Sequence, residues 1–420
     1  MPLHTKGYRL IINKRDFVSY LAARLIGTLG MQMQSVAIGW QVYDHTKNPM
    51  DLGLIGLMQF LPVFSFSLFA GQLADRVERH TIVWACHAIM SLCCFALFFI
   101  GFTDRFNMSL VYGVLFIIGT GRAFLGPSSQ AFFPNLVEKN ELGRAIAMNT
   151  SIWQFAVIFG PSLGGIFYAL SGKPYLVYLT SSFFLATSAT LVFTIKVRSK
   201  STKPIVLSIT KDIWAGINYI RARKEILGAT TLDLFAVLLG GATALLPAYT
   251  RDVLHTGPEG LGLLRSAPAI GAAVTGTLLS FRPIKNNVGK RMFFAVAGFG
   301  LCTVIFGLST QLWLSWIALL FLGAFDVVSV VTRQTLIQLR TPSDMRGRVS
   351  AVNSIFIGAS NELGEFESGV TAAWFGLVPA VVFGGIATCV VTLLWSWKFP
   401  ELRKLNTLED EIVTEKTVAS

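Results

Sequence analysis

The sequence predicts an all-α membrane protein in which twelve transmembrane helices form two six-helix bundles, with both termini in the cytoplasm. Hydrophobic residues make up 53% of the 420 residues and charged residues only 14%, whereas a soluble domain has about 25% charged residues. The hydrophobic residues gather into twelve long stretches, and the two halves of the chain resemble each other. This composition excludes a disordered chain, a coiled coil and an ordinary soluble enzyme.

Each hydrophobic stretch is long enough to cross a lipid bilayer, which requires about 20 apolar residues in a helix. The predicted spans cover residues 17–43, 51–74, 80–101, 109–132, 145–170, 175–196, 226–250, 260–282, 290–309, 313–337, 349–370 and 376–397. Twelve spans use about 240 residues, so the remaining chain suffices for short loops and one longer linker.

The loops between the predicted spans alternate between basic and nearly uncharged. The basic set includes the loop with Arg76 and Arg79, the segment 197–225 and the loop with Arg346 and Arg348. Because Lys and Arg collect on the cytoplasmic side of membrane proteins, both termini are predicted to be cytoplasmic. This placement accounts for most of the net charge of +12, so we expect no nucleic-acid partner.

The longest interior loop divides the chain. The predicted domains are an N-terminal six-helix bundle, a cytoplasmic linker, a C-terminal six-helix bundle and a cytoplasmic tail, at residues 1–196, 197–225, 226–398 and 399–420. Isoleucines recur in the linker at helical spacing, at Ile209, Ile213, Ile217 and Ile220. We therefore expect an amphipathic helix that lies on the cytoplasmic leaflet.

The two halves form an internal repeat with an offset of 204 residues. Residues 142–149 (LGRAIAMN) align with residues 346–353 (RGRVSAVN). The same offset brings four further pairs of identical residues into register: Gly119 and Gly323, Gln130 and Gln334, Gly160 and Gly364, and Gly165 and Gly369. Parallel repeats of six spans imply two bundles around an axis normal to the membrane, with a cavity between them that suits alternating access.

Residues 71–80 (GQLADRVERH) join spans two and three and resemble the signature loop of the major facilitator superfamily of transporters. The resemblance implies the major facilitator fold and a conformational latch made of Gly71, Asp75, Arg76 and Arg79. In such a latch Asp75, held near the start of span eleven, stabilises the outward-facing state. Glu78 stands where the family usually has glycine, and residues 276–291 of the second half lack the aspartate, so we expect an asymmetric latch.

An arginine lies deep in span four. Arg122 follows Gly119-Thr120-Gly121 and lies about 20 Å into the span at 1.5 Å per residue. A charge at that depth costs about 2.5–3.5 kcal/mol and should face a cavity or a partner. Arg122 resembles the span-four arginine of the family, which is linked there to proton coupling, and a purely structural ion pair is the alternative.

Span five contains a run of small residues with a proline. Gly160, Pro161, Gly164 and Gly165 (in GPSLGG) resemble the GPxxGG motif of the antiporter branch of the family. Small residues let helices approach closely and the proline bends a helix. Simple helix packing is therefore the alternative interpretation, and both can hold together.

Acidic residues lie inside the spans of the second half. Asp233 is in span seven, Asp326 in span ten, and Glu362 and Glu365 in span eleven. With Arg122 they are the predicted proton-coupling residues, because carboxylates in a low-dielectric medium take up protons readily. At the repeat offset Asp326 falls opposite Arg122. Fixed pairing with arginines is the alternative, and Arg265 in span eight is a candidate partner of Asp233.

Aromatic side chains and one arginine form the predicted substrate cavity. Aromatic rings would stack on a planar or apolar substrate, and Arg24 lies about 10 Å into span one. The predicted cavity residues are Trp40, Phe60, Trp153, Phe356 and Arg24. Packing against the core or lipid is the alternative for the rings, and snorkelling is the alternative for Arg24. The sequence has no metal-ligand spacing, nucleotide-binding loop or catalytic motif, so we expect no metal, no catalytic residue and no cofactor.

Residues 358–369 (GASNELGEFESG) are similar to the NELGEFxSG run of the enterobactin exporter branch of drug/proton antiporters. Residues 246–249 (LPAY) and 266–272 (SAPAIGA) are similar to that branch as well. The resemblance implies a transporter in the cell inner membrane that exports a small molecule, above all a siderophore, with the proton gradient as its energy source. We expect it to act as a monomer. A multidrug or macrolide efflux pump, an uptake symporter and a membrane protein without transport activity are the alternatives.

Overall fold

The computed structural model describes residues 14–103, 106–138, 140–197, 209–342 and 345–407. The side chains at 67–68, 71–72, 74–76, 209–213 and 351 lie outside the described part. Within these residues the chain is helical and contains no strand. The α-helices are α1 (Arg15–Thr46), α2 (Pro49–Arg76), α3 (Arg79–Phe102), α4 (Met108–Phe132), α5 (Leu142–Ser171), α6 (Pro174–Phe193), α7 (Ile209–Ala222), α8 (Lys224–Leu239), α9 (Leu246–Asp252), α10 (Pro258–Phe281), α11 (Val288–Leu308), α12 (Leu312–Arg340), α13 (Arg346–Phe375), α14 (Leu377–Lys398) and α15 (Pro400–Arg403).

The predicted all-α membrane fold is confirmed. Every predicted span except the seventh coincides with one helix, to within five residues at either end. Among the described residues, ten segments are long and apolar enough to cross a membrane. The long helices α1 and α13 are not among them, because they contain more charged and polar residues, including Arg24 in α1 and Glu362 and Glu365 in α13.

Span seven, predicted as one helix over 226–250, is interrupted in the structure. Helix α8 ends at Leu239, a 3-10 turn covers Ala242–Leu245, and α9 completes the segment. A Cβ atom on Gly241, at the break, would lie 2.7 Å from the backbone oxygen of Gly364. Glycine is required because two backbones meet there. The break was missed because the sequence stays apolar through it.

The chain divides into two compact units. The first unit consists of residues 1–47, 54–205 and 255–266, and the second consists of residues 48–53, 206–254 and 267–420. The start of α10 thus belongs to the first unit and the start of α2 to the second. The domain bounds predicted from the sequence stay predictions, because residues 198–208 of the linker and 408–420 of the tail lie outside the described part.

The two units share one arrangement of helices. In the first unit α1 packs against α5 and α6, and α3 packs against α4 and α6. In the second unit α8 packs against α13 and α14, and α11 packs against α12 and α14. Helices α4 and α12 begin 204 residues apart, at Met108 and Leu312, and so do α5 and α13, at Leu142 and Arg346. The sequence repeat is therefore also a repeat of helix packing.

The glycines paired by the repeat lie at equivalent close approaches. A Cβ on Gly119 of α4 would collide with the backbone of Gln59 in α2, and a Cβ on Gly323 of α12 would collide with the backbone of Pro268 in α10. Each pair of helices is thus close enough that only a residue without a side chain fits, as is common where membrane helices cross.

Polar side chains link the helices of the first unit. The Ser91 hydroxyl of α3 lies 2.8 Å from the Ser182 carbonyl oxygen of α6, and the Ser182 hydroxyl lies 2.9 Å from the Ser91 carbonyl oxygen. The Tyr178 hydroxyl donates to Gln41 of α1 at 2.6 Å. In a bilayer, polar groups need such partners because no water is available.

The amphipathic linker helix forms, but the described part of its apolar face packs against protein. Ile220 of α7 is buried in a cluster with Ile337 and Val349, and Ile217 packs against that cluster. The Tyr219 hydroxyl donates to the Arg340 carbonyl at 2.8 Å. The expectation that this helix rests on the lipid leaflet is therefore wrong for these residues, because α12 and α13 supply the apolar surface. Ile209 and Ile213 lie outside the described side chains.

The glycine contacts generate a stability prediction. Gly119→Ala should lower the free energy of unfolding by about 1–3 kcal/mol, the usual cost of overpacking, because the methyl group collides with the backbone at Gln59. Gly113→Ala is the matched control, since it lies in the same helix and a Cβ there meets nothing within 4 Å. Unfolding of the purified variants in mixed micelles would compare them. An equal or smaller loss for Gly119→Ala than for Gly113→Ala would contradict the close approach.

Candidate functional site

A buried ion pair lies in the second unit. The Arg333 Nη2 atom of α12 lies 2.9 Å from Oδ2 of Asp233 in α8. Arg333 Nη1 also donates to Oδ1 of Asn353 in α13 at 2.8 Å. The Arg333 side chain is only 1% exposed and that of Asp233 is 7% exposed. Three helices of the unit are thus joined through one guanidinium.

The burial of Arg333 makes its partners energetically important. Removing one member of a buried ion pair usually costs about 3–5 kcal/mol, because a charge is left uncompensated. The Arg333 Nε atom is buried and has no hydrogen-bond partner among the described residues. Among the described residues, the guanidinium therefore has two partners and one donor that is not used. A change in helix packing would not have to break a complete set of hydrogen bonds.

A second carboxylate lies beside this pair. Asp326 precedes Arg333 by seven residues in α12, which is about two helical turns and places both on one face. Asp326 interacts electrostatically with both Asp233 and Arg333. Of the two carboxylates, Asp233 makes the ion pair with the guanidinium, and Asp326 adds a second acidic group beside that pair. We call Asp233, Asp326, Arg333 and Asn353 the acid–arginine cluster.

The predicted group of four acids is divided in the structure. Asp233 and Asp326 belong to the acid–arginine cluster, whereas Glu362 and Glu365 lie farther along α13 than Asn353, by about 14 and 18 Å at 1.5 Å per residue. Both glutamates are half-buried. They are not among the described partners of Arg333, which are Asp233 and Asn353.

Arg333 was not singled out from the sequence, and the suggested pairing of Asp233 with Arg265 is wrong. Asp233 pairs with Arg333, and Arg265 Nη1 instead donates to the Ser35 hydroxyl at 2.7 Å. A signal was available, because an acid and an arginine seven residues apart in one apolar helix lie on the same face. Asn353 was also visible as the last residue of the aligned repeat segment.

The first unit contains a cavity of about 400 Å³. Arg24 and Arg122 both line it, together with Trp153. Two of the residues predicted for the substrate cavity, Arg24 and Trp153, thus share one cavity within the first unit, and their role in substrate binding stays a prediction. Arg122 lies in the first unit with Arg24, whereas the acids that were grouped with it lie in the second.

The other predicted cavity residues do not line this cavity. Phe60 is buried with its ring centroid 5.7 Å from that of Phe64. Phe356 packs against the apolar cluster that contains Ile220 and Ile337. Trp40 is half-buried in α1 and is not among the lining residues. For Phe60 and Phe356 the packing interpretation fits these contacts.

The predicted latch is described only at one residue. The side chains of Gly71, Asp75 and Arg76 lie outside the described part. Arg79, at the start of α3, donates through Nη1 to the Ala131 carbonyl of α4 at 3.0 Å. This bond links Arg79 to the end of a neighbouring helix, and the latch itself stays a prediction.

The GPSLGG motif of α5 lies at close helix contacts. Gly160, Pro161, Gly164 and Gly165 are all buried. A Cβ on Gly160 would lie 2.6 Å from the Gln32 side chain, and one on Gly164 would lie 2.8 Å from the Cα of Met33. The motif therefore lets α5 pack closely against α1, which is the role that small residues have between membrane helices.

Known proteins resemble this chain over nearly its whole length. The family model of transmembrane secretion effectors matches residues 12–419. The enterobactin exporter EntS of Citrobacter koseri is 24% identical and covers 93% of this chain and 93% of its own. The uncharacterized MFS-type transporter YfiS of Bacillus subtilis is 22% identical and covers 92% of this chain and 93% of its own.

A solved structure shares the fold. The crystal structure of a bacterial homologue of the human lysosomal transporter Spinster aligns with a TM-score of 0.71 at 14% identity, covering 92% of this chain and 98% of that one. The fold, the repeated helix packing and the full-length family match agree. The chain belongs to the transmembrane secretion effector family of the major facilitator superfamily, and it is a multi-pass membrane transporter of small molecules rather than an enzyme.

Proposed function

We propose that the protein is a proton-coupled exporter of a small organic molecule, working as a monomer in the bacterial inner membrane. The observation that carries the proposal is the acid–arginine cluster, in which Arg333 pairs with Asp233 and a second carboxylate, Asp326, interacts electrostatically with both. Charged groups within membrane spans are costly and occur mainly on ion or proton pathways.

The cluster suggests how a proton is coupled to transport. With both carboxylates ionised, Arg333 is attracted by Asp233 and Asp326 together. Protonation of one carboxylate from outside weakens that attraction and favours a different packing of α8, α12 and α13, because these three helices meet at the guanidinium. A ligand or proton shifts such an equilibrium only by binding one packing more strongly than the other.

The substrate proposal is a siderophore exported from the cell. It is supported by the likeness over nearly the whole chain to proteins named enterobactin exporter, which are 22–24% identical to it. Export rather than uptake is supported by the similarity of the GPSLGG run to the antiporter motif. A multidrug or macrolide pump is the alternative that the same fold allows.

Asp326→Asn should abolish transport driven by a pH gradient, since an amide cannot bind and release the proton, and should leave the fold intact. Proteoliposomes with an imposed pH gradient would report uphill flux, and exchange of labelled for unlabelled substrate would report alternating access without the gradient. We expect exchange to persist. Glu367→Gln is the matched control, because that half-buried acid accepts a hydrogen bond from Thr371 within its own helix. Undiminished gradient-driven flux in Asp326→Asn would refute its role.

A double-mutant cycle separates coupling from a purely structural ion pair. Asp233→Asn and Arg333→Gln should each destabilise the protein by about 3–5 kcal/mol, because each leaves a buried charge uncompensated. The double variant should lose less than the sum of the two, since neither member of the Asp233–Arg333 pair is left charged without the other. We expect the double variant to fold and yet to show no gradient-driven flux. A double variant that transports at the wild-type rate would mean that the pair only holds the helices together.

The direction of transport and the substrate class can be tested in inverted membrane vesicles. Acidifying the vesicle interior should drive accumulation of a catecholate siderophore, because export from the cell corresponds to uptake into an inverted vesicle. A labelled macrolide in the same vesicles is the comparison. Accumulation of the macrolide without the siderophore would favour the drug-efflux alternative, and loss of preloaded siderophore under the same gradient would favour a symporter.

A further inference from the structure

The cavity of the first unit is lined by apolar and aromatic side chains together with two arginines. Its wall includes Tyr20 and Arg24 of α1, His87 of α3, Arg122 and Ser129 of α4, and Trp153 of α5. Its volume of about 400 Å³ falls in the range of about 300–1,000 Å³ that is usual for small-molecule sites. Of the described residues that line it, none is acidic.

Arg24 has donor capacity that the protein leaves unused. Tyr20 lies one helical turn before Arg24 in α1 and interacts electrostatically with it. The Nε atom of Arg24 is buried and has no hydrogen-bond partner among the described residues. Since a buried donor without an acceptor is unfavourable, an acceptor supplied by a ligand would be stabilising.

The internal repeat explains why a cavity exists here. At the offset of 204 residues Arg122 corresponds to Asp326, and Ser129 corresponds to Arg333. Where the second unit has an acid and a buried arginine that fills the space, the first unit has an arginine and a small hydroxyl side chain. Asn149, the counterpart of Asn353, has a buried Oδ1 atom without a partner among the described residues. At the positions equivalent to Asp326 and Arg333, the first unit thus has an arginine and a serine that both line the cavity.

We propose that this cavity binds the anionic, aromatic part of the substrate. A carboxylate or phenolate would accept hydrogen bonds from Arg24, and guanidinium groups bind planar oxyanions in a two-point geometry. Trp153, which is 42% exposed, offers a ring face for stacking. The proposal names a substrate class, organic acids with an aromatic ring, and in that respect it rests on the proposed export function.

Binding of a simple aromatic acid to the full-length protein in detergent micelles tests the proposal. The probe is labelled 2-hydroxybenzoate at neutral pH, its neutral analogue is 2-hydroxybenzamide, and inorganic phosphate is the anion without a ring. We expect the acid to bind at least about tenfold more tightly than the amide, as a charge-assisted hydrogen bond implies, and phosphate not to displace it. Equal binding of acid and amide, or displacement by phosphate, would overturn the proposal.

Variants assign the binding to Arg24. Arg24→Gln should weaken binding of the acid by at least about tenfold. Arg24→Lys should weaken it by a smaller factor, because an ammonium group keeps the charge and loses the two-point geometry. Neither variant should change binding of the amide. Arg265→Gln is the matched control, because its guanidinium bonds Ser35 and it does not line the cavity. Unchanged affinity in Arg24→Gln would refute the assignment. If Arg24→Gln does not fold, Arg24→Lys decides the assignment, and undiminished affinity for the acid in that variant would refute the two-point contact.

The binding test is independent of proton coupling, since no gradient is present. Binding that depends on Arg24, together with an undiminished Asp326→Asn variant in the flux test, would support the cavity and refute the coupling site. Gradient-driven flux that is lost in Asp326→Asn, together with no binding of aromatic acids, would support the coupling site and refute the cavity.

Discussion

The structure of the second unit depends on one requirement, that a guanidinium removed from both water and lipid must have a counter-charge. Arg333 is almost fully buried and is bound by Asp233 and Asn353. These partners come from different helices, so α8, α12 and α13 cannot shift relative to one another without changing the environment of a buried charge. Because uncompensated charge is so unfavourable in a low-dielectric medium, the electrostatic state of this cluster and the packing of the unit are coupled.

The fold could be predicted from the sequence because the bilayer imposes length and polarity on every span. Apolar stretches of the required length gave the helices to within a few residues, and the repeat offset of 204 recurs in the starts of α4 and α12. The break after Leu239 could not be predicted in this way, because it arises from contact between the backbones at Gly241 and Gly364. Hydropathy records whether a residue is apolar and carries no information on which backbone it meets.

The sequence indicated which residues of the candidate site carry charge or aromatic rings, and it indicated less well which of them contact each other. Asp233 and Asp326 lie beside a buried arginine, and Arg24 and Trp153 line one cavity. Arg333 was overlooked as the partner of Asp233. Pairing depends on the rotation and crossing of helices, which a single sequence does not give. The spacing of Asp326 and Arg333 by two helical turns was the one local signal, and it becomes meaningful only with the knowledge that α8 packs nearby.

The composition of the acid–arginine cluster bears on whether it is only a structural pair. A structural pair needs one carboxylate for one guanidinium, and Asp233 with Arg333 satisfies that need at 2.9 Å. Asp326 is then a surplus acid, which Arg333 attracts and Asp233 repels. In a low-dielectric site such an arrangement is relieved when one of the two carboxylates holds a proton. The surplus acid is thus costly for a structural pair and is what a site that takes up and releases a proton requires.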